Sequence, residues 1–276
     1  MHPQCGVWPG AAQIDRIDQR RTSTGLDKFV VSKIENHLRT VLGPQKSAPS
    51  PGPFNSSPNA LEALIERLGF PPNARAFAEM GKFLLELGHY DEAVEALARA
   101  IRLNPLVAQT WKLLGVSCAA QGRFEKAKEA LERAVRLDSE DVWTWVSLAA
   151  ACGKLRLYDE ALRATDRALR LDRSNAEAWI NRGAAASGLG WIEQALEAYD
   201  RAIKLNPALA KAWYNQACLM ARVGNTADMF FSLAKAVSLE PSLAERARND
   251  PDFGPYSGTD SFARCLATPQ KRAAGR

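Results

Sequence analysis

The chain has 276 residues, of which 46% are hydrophobic and 24% are charged, as is usual for globular proteins. Its formal charge is 36 − 31 = +5, yet residues 74–243 carry only 22 − 21 = +1 and contain no strong basic cluster. Nucleic-acid binding is therefore not favoured. The sequence also lacks an apolar run of about 18 residues, which argues against membrane insertion.

The cysteines of the chain are odd in number, widely separated and without a CxxC pair. They are Cys5, Cys118, Cys152, Cys218 and Cys265. This usage is typical of reduced thiols rather than of a disulfide framework. The first residues show neither the basic n-region nor the apolar h-region of a signal peptide. We therefore expect a cytoplasmic protein.

The segments that flank the middle of the chain differ in composition. Residues 1–23 and 266–276 are predicted to be disordered. Residues 24–43 predict one amphipathic helix, which either packs on the neighbouring domain or serves docking or dimerisation. Residues 44–59 are rich in Pro, Ser and Asn and predict a flexible linker. Residues 60–73 predict a short helix that caps the domain after it.

A repeat of 34 residues fills the middle of the chain. Stepping by this period from Phe77 leads to a tryptophan each time, at Trp111, Trp145, Trp179 and Trp213. The same step relates unbroken columns of alanine and leucine, namely Ala100, Ala134, Ala168, Ala202 and Ala236, and Leu103, Leu137, Leu171, Leu205 and Leu239. Five ungapped units follow from these columns, at 74–107, 108–141, 142–175, 176–209 and 210–243.

Each unit has the pattern of two helices. In the second unit, Trp111 and Cys118 belong to one apolar stripe with helical spacing. Gly122 interrupts that stripe, and Phe124 and Leu131 belong to a second one. Small residues between the two stripes let the helix backbones approach, and the tryptophans are expected to fill the core beside them.

The period and these columns resemble the tetratricopeptide repeat (TPR) family over residues 74–243. The resemblance implies an all-α fold, an α-solenoid of five helix-turn-helix units. It further implies a right-handed superhelix with a concave groove and with N- and C-terminal capping helices. Arg182 and Gln216 stand where the family usually has leucine, and Met229 stands where it has alanine.

A further segment, residues 244–265, is predicted to cap the C-terminal end of the repeats. Ser242 and Glu245 form an S-x-x-E capping box that predicts another helix. We expect Phe230 and Phe231 to be buried beneath this segment. The alternative is that they form an exposed patch for self-association.

The sequence shows no catalytic or metal-binding constellation. It contains no HExxH, P-loop, GxGxxG or GxSxG motif. Its histidines, His2, His37 and His89, are far apart. Carboxylate pairs such as Asp91-Glu92 begin second helices, where they interact favourably with the helix dipole. We therefore expect no enzymatic activity, no cofactor and no metal.

The resemblance places a peptide-binding groove on the first helix of each unit. Apolar and aromatic residues at the groove positions are Trp143, Val146, Ile180, Tyr214 and Cys218. Amide and basic residues there are Asn181, Asn215, Lys112, Lys154, Lys211 and Arg222. One acid, Glu177, opposes the four cations, so units two to five give the groove 4 − 1 = +3.

This groove predicts a protein partner, an extended or helical segment with acidic residues around apolar anchors. The alternative is that Trp143 and Tyr214 pack on neighbouring repeats and bind nothing. A carboxylate clamp is not favoured, because Val146 and Ala150 occupy two of the positions that it needs.

The predicted function is that of a non-catalytic interaction scaffold or adaptor. Alternatives are a self-assembling structural scaffold, which would be a homo-oligomer, and an accessory subunit of a larger multiprotein complex. RNA binding is a minor alternative, which steep salt dependence would reveal.

Overall fold

The computed structural model describes Glu62, Ile65, Glu66 and residues 71–267. These residues form helices and turns, and no strand occurs among them. The predictions for residues 1–23, 24–43, 44–59 and 268–276, and for most of residues 60–70, therefore lie outside the described part.

The described residues divide into two compact units between Ala151 and Cys152. We call the described residues up to Ala151 the N-terminal unit, and residues 152–267 the C-terminal unit.

Helices of 13 and 14 residues alternate in the N-terminal unit. They are α1 (Ala74–Glu86), α2 (Tyr90–Leu103), α3 (Ala108–Ala120), α4 (Phe124–Leu137) and the greater part of α5 (Val142–Lys154). The side chain of Asn73 caps α1 by accepting a hydrogen bond from the N–H of Ala76 at 2.9 Å. Helix α1 packs against α2, α2 against α3, and α3 against α4.

The same alternation continues in the C-terminal unit and then ends in shorter helices. The helices are α6 (Tyr158–Leu171), α7 (Ala176–Gly188), α8 (Ile192–Leu205), α9 (Ala210–Arg222), α10 (Thr226–Leu239), α11 (Leu243–Asn249), a 3-10 helix (Pro251–Tyr256) and α12 (Asp260–Leu266). Each of α6 to α9 packs against the next helix, α12 packs against α10, and the 3-10 helix packs against α9.

Glycine allows paired helices to approach closely. A Cβ atom on Gly115 would lie 2.5 Å from Cγ of Leu131, on the partner helix α4. In the C-terminal unit, a Cβ atom on Gly183 would lie 2.5 Å from Cε1 of Tyr199. Both distances are shorter than any van der Waals contact, so a larger residue would force the helices apart.

The turn between the helices of a pair contains a residue with positive φ. Glycine occupies this place in four turns of the described chain, at Gly88, Gly122, Gly190 and Gly224. In the remaining one, Arg156 adopts a φ of 62°. A side chain in this left-handed conformation costs about 1–2 kcal/mol relative to the right-handed one.

The tryptophans of the repeat connect each first helix to the loop before it. Their indole N–H groups donate to backbone carbonyls six residues earlier, in the pairs Trp111–Pro105, Trp145–Ser139, Trp179–Arg173 and Trp213–Pro207, at 2.8–3.0 Å. The indoles are half-buried rather than enclosed in the core, because the donor must reach this exposed loop.

Each unit has its own hydrophobic core. In the N-terminal unit, Ile65 is fully buried against a cluster that includes Phe77, Leu84 and Leu97. In the C-terminal unit, the cluster reaches from α9 and α10 into the terminal helices. Its larger members are Tyr214, Met229, Leu233, Phe253, Phe262 and Leu266.

Two expectations for the C-terminal segment need correction. Ser242 makes no capping bond, because its hydroxyl donates to the carboxylate of Glu240. Phe231 is 57% exposed, with its ring edge-on to Trp213 at 5.8 Å. Phe230 does pack beneath the segment, against Tyr256, because it lies on the face of α10 that α12 covers.

No disulfide joins the cysteines of the described chain. Cys118, Cys152 and Cys218 are buried, and Cys265 is half-buried. Burial raises the pKa of the Cys118 thiol by more than Arg123 and Lys126 lower it. The Cys118 thiol is therefore a poor nucleophile in the folded protein.

Candidate interaction surface

Positions are counted here from the first residue of each repeat. Position 5, a predicted groove position on the first helix, is buried in both units. Its residues in successive repeats are Lys112, Val146, Ile180 and Tyr214, and each is at most 6% exposed. Ile180 contacts Ala202 and Ala212 in the core. A buried side chain of this kind contributes to packing between helices, and it cannot contact a partner unless the helices move.

Lys112 is buried together with a counter-ion. Its Nζ donates to Oδ2 of Asp141 at 2.9 Å. The same carboxylate accepts from Thr144 Oγ1 at 2.6 Å and from the backbone N–H of Trp143 at 3.2 Å. Burial raises the pKa of Asp141, but the charge of Lys112 and these hydrogen bonds lower it further, so the net shift is downward.

The predicted groove residues at positions 6 and 9 are buried as well. Asn181 and Asn215 at position 6 are at most 1% exposed, as is Cys218 at position 9. The side chains that keep solvent contact are Trp143 in the N-terminal unit, and Lys154, Lys211 and Arg222 in the C-terminal unit.

The C-terminal segment covers part of the predicted groove in its own unit. Asp250, which precedes the 3-10 helix, accepts a hydrogen bond from the hydroxyl of Tyr214 at 2.8 Å. The thiol of Cys218 lies 3.8 Å from the same carboxylate oxygen. Phe253 packs edge-on against the ring of Tyr214, with centroids 5.8 Å apart. Burial and the nearby Asp250 raise the pKa of Tyr214, so this hydroxyl stays a donor.

The segment also engages the last basic residue of the predicted set. Nε of Arg222 lies 3.6 Å from Oδ2 of Asp252, and the same guanidinium donates to Ser187. Cys218, Asp250 and Asp252 offer ligand atoms within 4.8 Å of one another. Arg222 contributes a positive charge beside Asp252, which disfavours a further cation at this cluster.

Sequence reasoning missed the residues that the C-terminal segment contributes. Asp250 accepts the hydrogen bond of Tyr214, and Asp252 forms an ion pair with Arg222. The guanidinium carbon of Arg246 lies over the ring of Tyr214, 5.4 Å from its centroid. The run Asp250-Pro251-Asp252-Phe253 was the available signal, because an acidic and aromatic segment matches a basic and aromatic groove.

Family models of the tetratricopeptide repeat match residues 78–142, 119–182 and 176–209. The chain is a tetratricopeptide repeat protein. The helix pairs of the two units are those of the TPR solenoid fold. Among the described residues of this TPR protein, no helix has the length and apolar character needed to cross a membrane.

Solved TPR structures share this fold at low sequence identity. TTC0263 from Thermus thermophilus is 21% identical, with a TM-score of 0.56, over 70% of this chain and 98% of its own. YrrB, described as a TPR protein with an unusual peptide-binding site, is 23% identical, with a TM-score of 0.52, over 69% of this chain and 98% of its own. MamA from Desulfovibrio magneticus is 20% identical, with a TM-score of 0.55, over 61% of this chain and 96% of its own.

These structural similarities support the fold of the TPR protein, and they do not extend to its function. A search of curated proteins finds no match to the chain.

Proposed function

We propose that this TPR protein is a non-catalytic scaffold or adaptor that holds a segment of a protein partner along its first helices. The observation that carries the proposal is the accessibility of position 2. There, Trp143 in the N-terminal unit and Lys211 in the C-terminal unit are only partly buried. A half-exposed tryptophan offers anchor area, and a lysine in contact with solvent offers charge complementarity.

The peptide-binding site in the name of YrrB gives the proposal a precedent within the fold. The proposal retains the five repeat units between capping segments and the right-handed superhelix expected from the sequence. It also retains the cytoplasmic location inferred from the separated cysteines. The partner is an extended or helical segment whose acidic residues flank apolar anchors.

Photo-crosslinking from defined positions tests this proposal. A benzophenone amino acid replaces Trp143 in one variant and Lys211 in another, and exposed Glu197 on the second helix α8 serves as the control position. After irradiation in a native extract, mass spectrometry identifies the captured proteins. We expect the same partner from positions 143 and 211 and not from position 197. Equal capture from all three positions would contradict the proposed surface.

Self-association is a second candidate function, and one observation favours it. Exposed Phe231 and half-buried Trp213 form an aromatic pair at the surface of the C-terminal unit. If this pair mediates assembly, the mass measured by light scattering rises with protein concentration, and Phe231→Ser abolishes that rise. A constant monomer mass in the wild type removes this candidate.

A further inference from the structure

An apolar patch lies where the first repeat joins the second. Leu106 is 71% exposed there, and its neighbours Leu103 and Val107 are 56% and 39% exposed. We call these three residues the junction patch. At the place of Leu106, the later repeats have small or polar residues, namely Glu140, Ser174, Ala208 and Ser242. The junction patch is therefore a property of this part of the N-terminal unit and not of the repeat pattern.

Hydrogen bonds fix the loop that carries the junction patch. The backbone N–H of Leu106 donates to Oδ1 of Asn104 at 3.1 Å. The carbonyl of Pro105 accepts from the indole N–H of Trp111 at 2.8 Å. The apolar side chains are thus presented on an ordered loop, so a segment that covers them does not have to immobilise the loop as well.

The chain that precedes the repeats comes close to the junction patch. Ile65 is fully buried in the core cluster of the N-terminal unit. Oε2 of Glu62 lies 3.8 Å from Nη1 of Arg99, on α2. Arg99 and Leu103 are four residues apart on this helix, so they lie on the same face of it. The side chain of Glu62 is therefore about one helical turn from the patch.

The sequence before Glu62 contains an apolar face that needs a cover. The amphipathic helix predicted for residues 24–43 lies outside the described residues, and its apolar positions follow helical spacing at Leu26, Phe29, Val30, Ile34, Leu38 and Leu42. A helix of this length is only marginally stable in water by itself, because most helical stability comes from packing of the apolar face. Residues 43–61 span up to about 60 Å when extended, so this face can reach the patch.

We propose that residues 26–42 dock on the junction patch of their own chain and cover Leu103, Leu106 and Val107. The tether keeps the two apolar surfaces at an effective concentration in about the millimolar range, which favours docking within one chain over contact between copies. This inference goes beyond the proposed function, because the patch lies on the end of a second helix and on a loop, and not on the first helices.

Photo-crosslinking within the full chain tests the contact directly. A benzophenone amino acid replaces Leu106 in one variant and Ala208 in the control variant. Ala208 is exposed in the corresponding loop of the fourth repeat, and its N–H donates to Oδ1 of Asn206 at 3.1 Å, as that of Leu106 does to Asn104. After irradiation, peptide mapping is expected to join position 106, and not position 208, to residues 26–42. An equal mixture of ¹⁵N-labelled and unlabelled chains shows whether the two crosslinked peptides come from one molecule.

Hydrogen exchange measures how strongly the patch holds the segment. Leu106→Asp should raise the exchange rate of the amides in residues 26–42 at least about tenfold, since burial of one leucine stabilises the docked state by about this factor. Ala208→Asp is the matched control and should leave these rates unchanged. Exchange in α1 to α4 reports on the fold of each variant, and the exposure of Leu106 predicts that it stays as in the wild type.

Three results would overturn the proposal. Crosslinks between labelled and unlabelled chains would assign the contact to a second copy. Crosslinks from position 106 that miss residues 26–42, or their absence, would show that this segment does not cover the patch. Exchange rates in residues 26–42 that are equal in the wild type and in both aspartate variants would show that the patch does not hold the segment. The proposed function has a separate readout, because capture of a partner from positions 143 and 211 does not require the junction patch.

Discussion

The N-terminal and C-terminal units bury different polar side chains at the same repeat position. At position 5, the N-terminal unit buries a cation, Lys112, and neutralises it with Asp141, the last residue of the same repeat. The C-terminal unit buries a phenol, Tyr214, and satisfies it with Asp250 of the terminal segment. In both units the polar side chain interacts with an aspartate that comes about 30 residues or more later in the chain.

This comparison explains why a groove position becomes part of the core. A buried polar group left without a partner costs about 1–3 kcal/mol, so a polar residue at position 5 requires an acceptor from its neighbour. Where position 5 is apolar, as at Ile180, no such acceptor is needed. The residue type at this position therefore reports on the element packed beside it as well as on a ligand.

The largest effect should follow from removing the aromatic anchor of the C-terminal unit. Phe253→Ala is expected to lower the free energy of unfolding by about 3–5 kcal/mol, because Phe253 is fully buried and leaves a cavity. Chemical denaturation measures the loss, and hydrogen exchange shows whether it stays in the C-terminal unit. Phe231→Ala is the control, since this exposed ring should contribute less than about 1 kcal/mol. Equal losses from the two variants would refute the packing of Phe253.

The ion pair of the N-terminal unit should give the next largest effect. Lys112→Met is expected to cost about 1–3 kcal/mol at neutral pH, because Asp141 is left partly buried without its counter-ion. The folded-state pKa of Asp141 is lowered, so the stabilisation exists above its ordinary value of 3.8 and is lost as the pH falls through the folded pKa.

Unfolding curves from pH 7 down to the acid limit check this expectation. The difference between the wild type and Lys112→Met should shrink once the pH is below 3.8. A difference that stays constant over this range would show that Lys112 acts by packing alone.

A third test concerns a hydrogen bond that the two units share. Trp111→Phe in the N-terminal unit and Trp179→Phe in the C-terminal unit each remove one indole hydrogen bond to the preceding loop. Each substitution should cost about 1 kcal/mol, as for a typical hydrogen bond. If the unfolding temperature falls for one substitution and not for the other, the hydrogen bond stabilises only one unit.

The smallest expected effect is a gain in stability. Arg156→Gly should stabilise the C-terminal unit by up to about 1 kcal/mol, because glycine adopts positive φ without strain. Gly190→Ala reverses the change in a neighbouring turn of the same unit and should destabilise it by a similar amount. Differential scanning calorimetry measures both variants, and loss of stability in Arg156→Gly would show that the Arg156–Tyr158 hydrogen bond outweighs the strain.

The sequence predicts the helix pairs well because the fold repeats. The first helices begin at residues 74, 108, 142, 176 and 210, in step with the tryptophan column. The period places small residues such as Gly115 opposite large ones such as Leu131, and this local complementarity needs no distant information.

The candidate site was harder to predict, because its state depends on contacts between residues that are far apart in the chain. Nothing near Lys112 in the chain shows that Asp141, 29 residues later, neutralises it. Likewise, the burial of Tyr214 follows from the position of Phe253 beyond the last repeat. The family resemblance implies which side chains line a groove, but it does not tell whether a neighbouring element covers them.

The buried thiols give each unit a built-in chemical reporter. Cys118 in the N-terminal unit and Cys218 in the C-terminal unit cannot react with a bulky maleimide until the surrounding helices open. When Cys5, Cys152 and Cys265 are changed to serine, the labelling rate of each remaining thiol measures the rate at which its own unit opens. Peptide mapping of a single labelled sample would then time the opening of both units in one native solution, without denaturant.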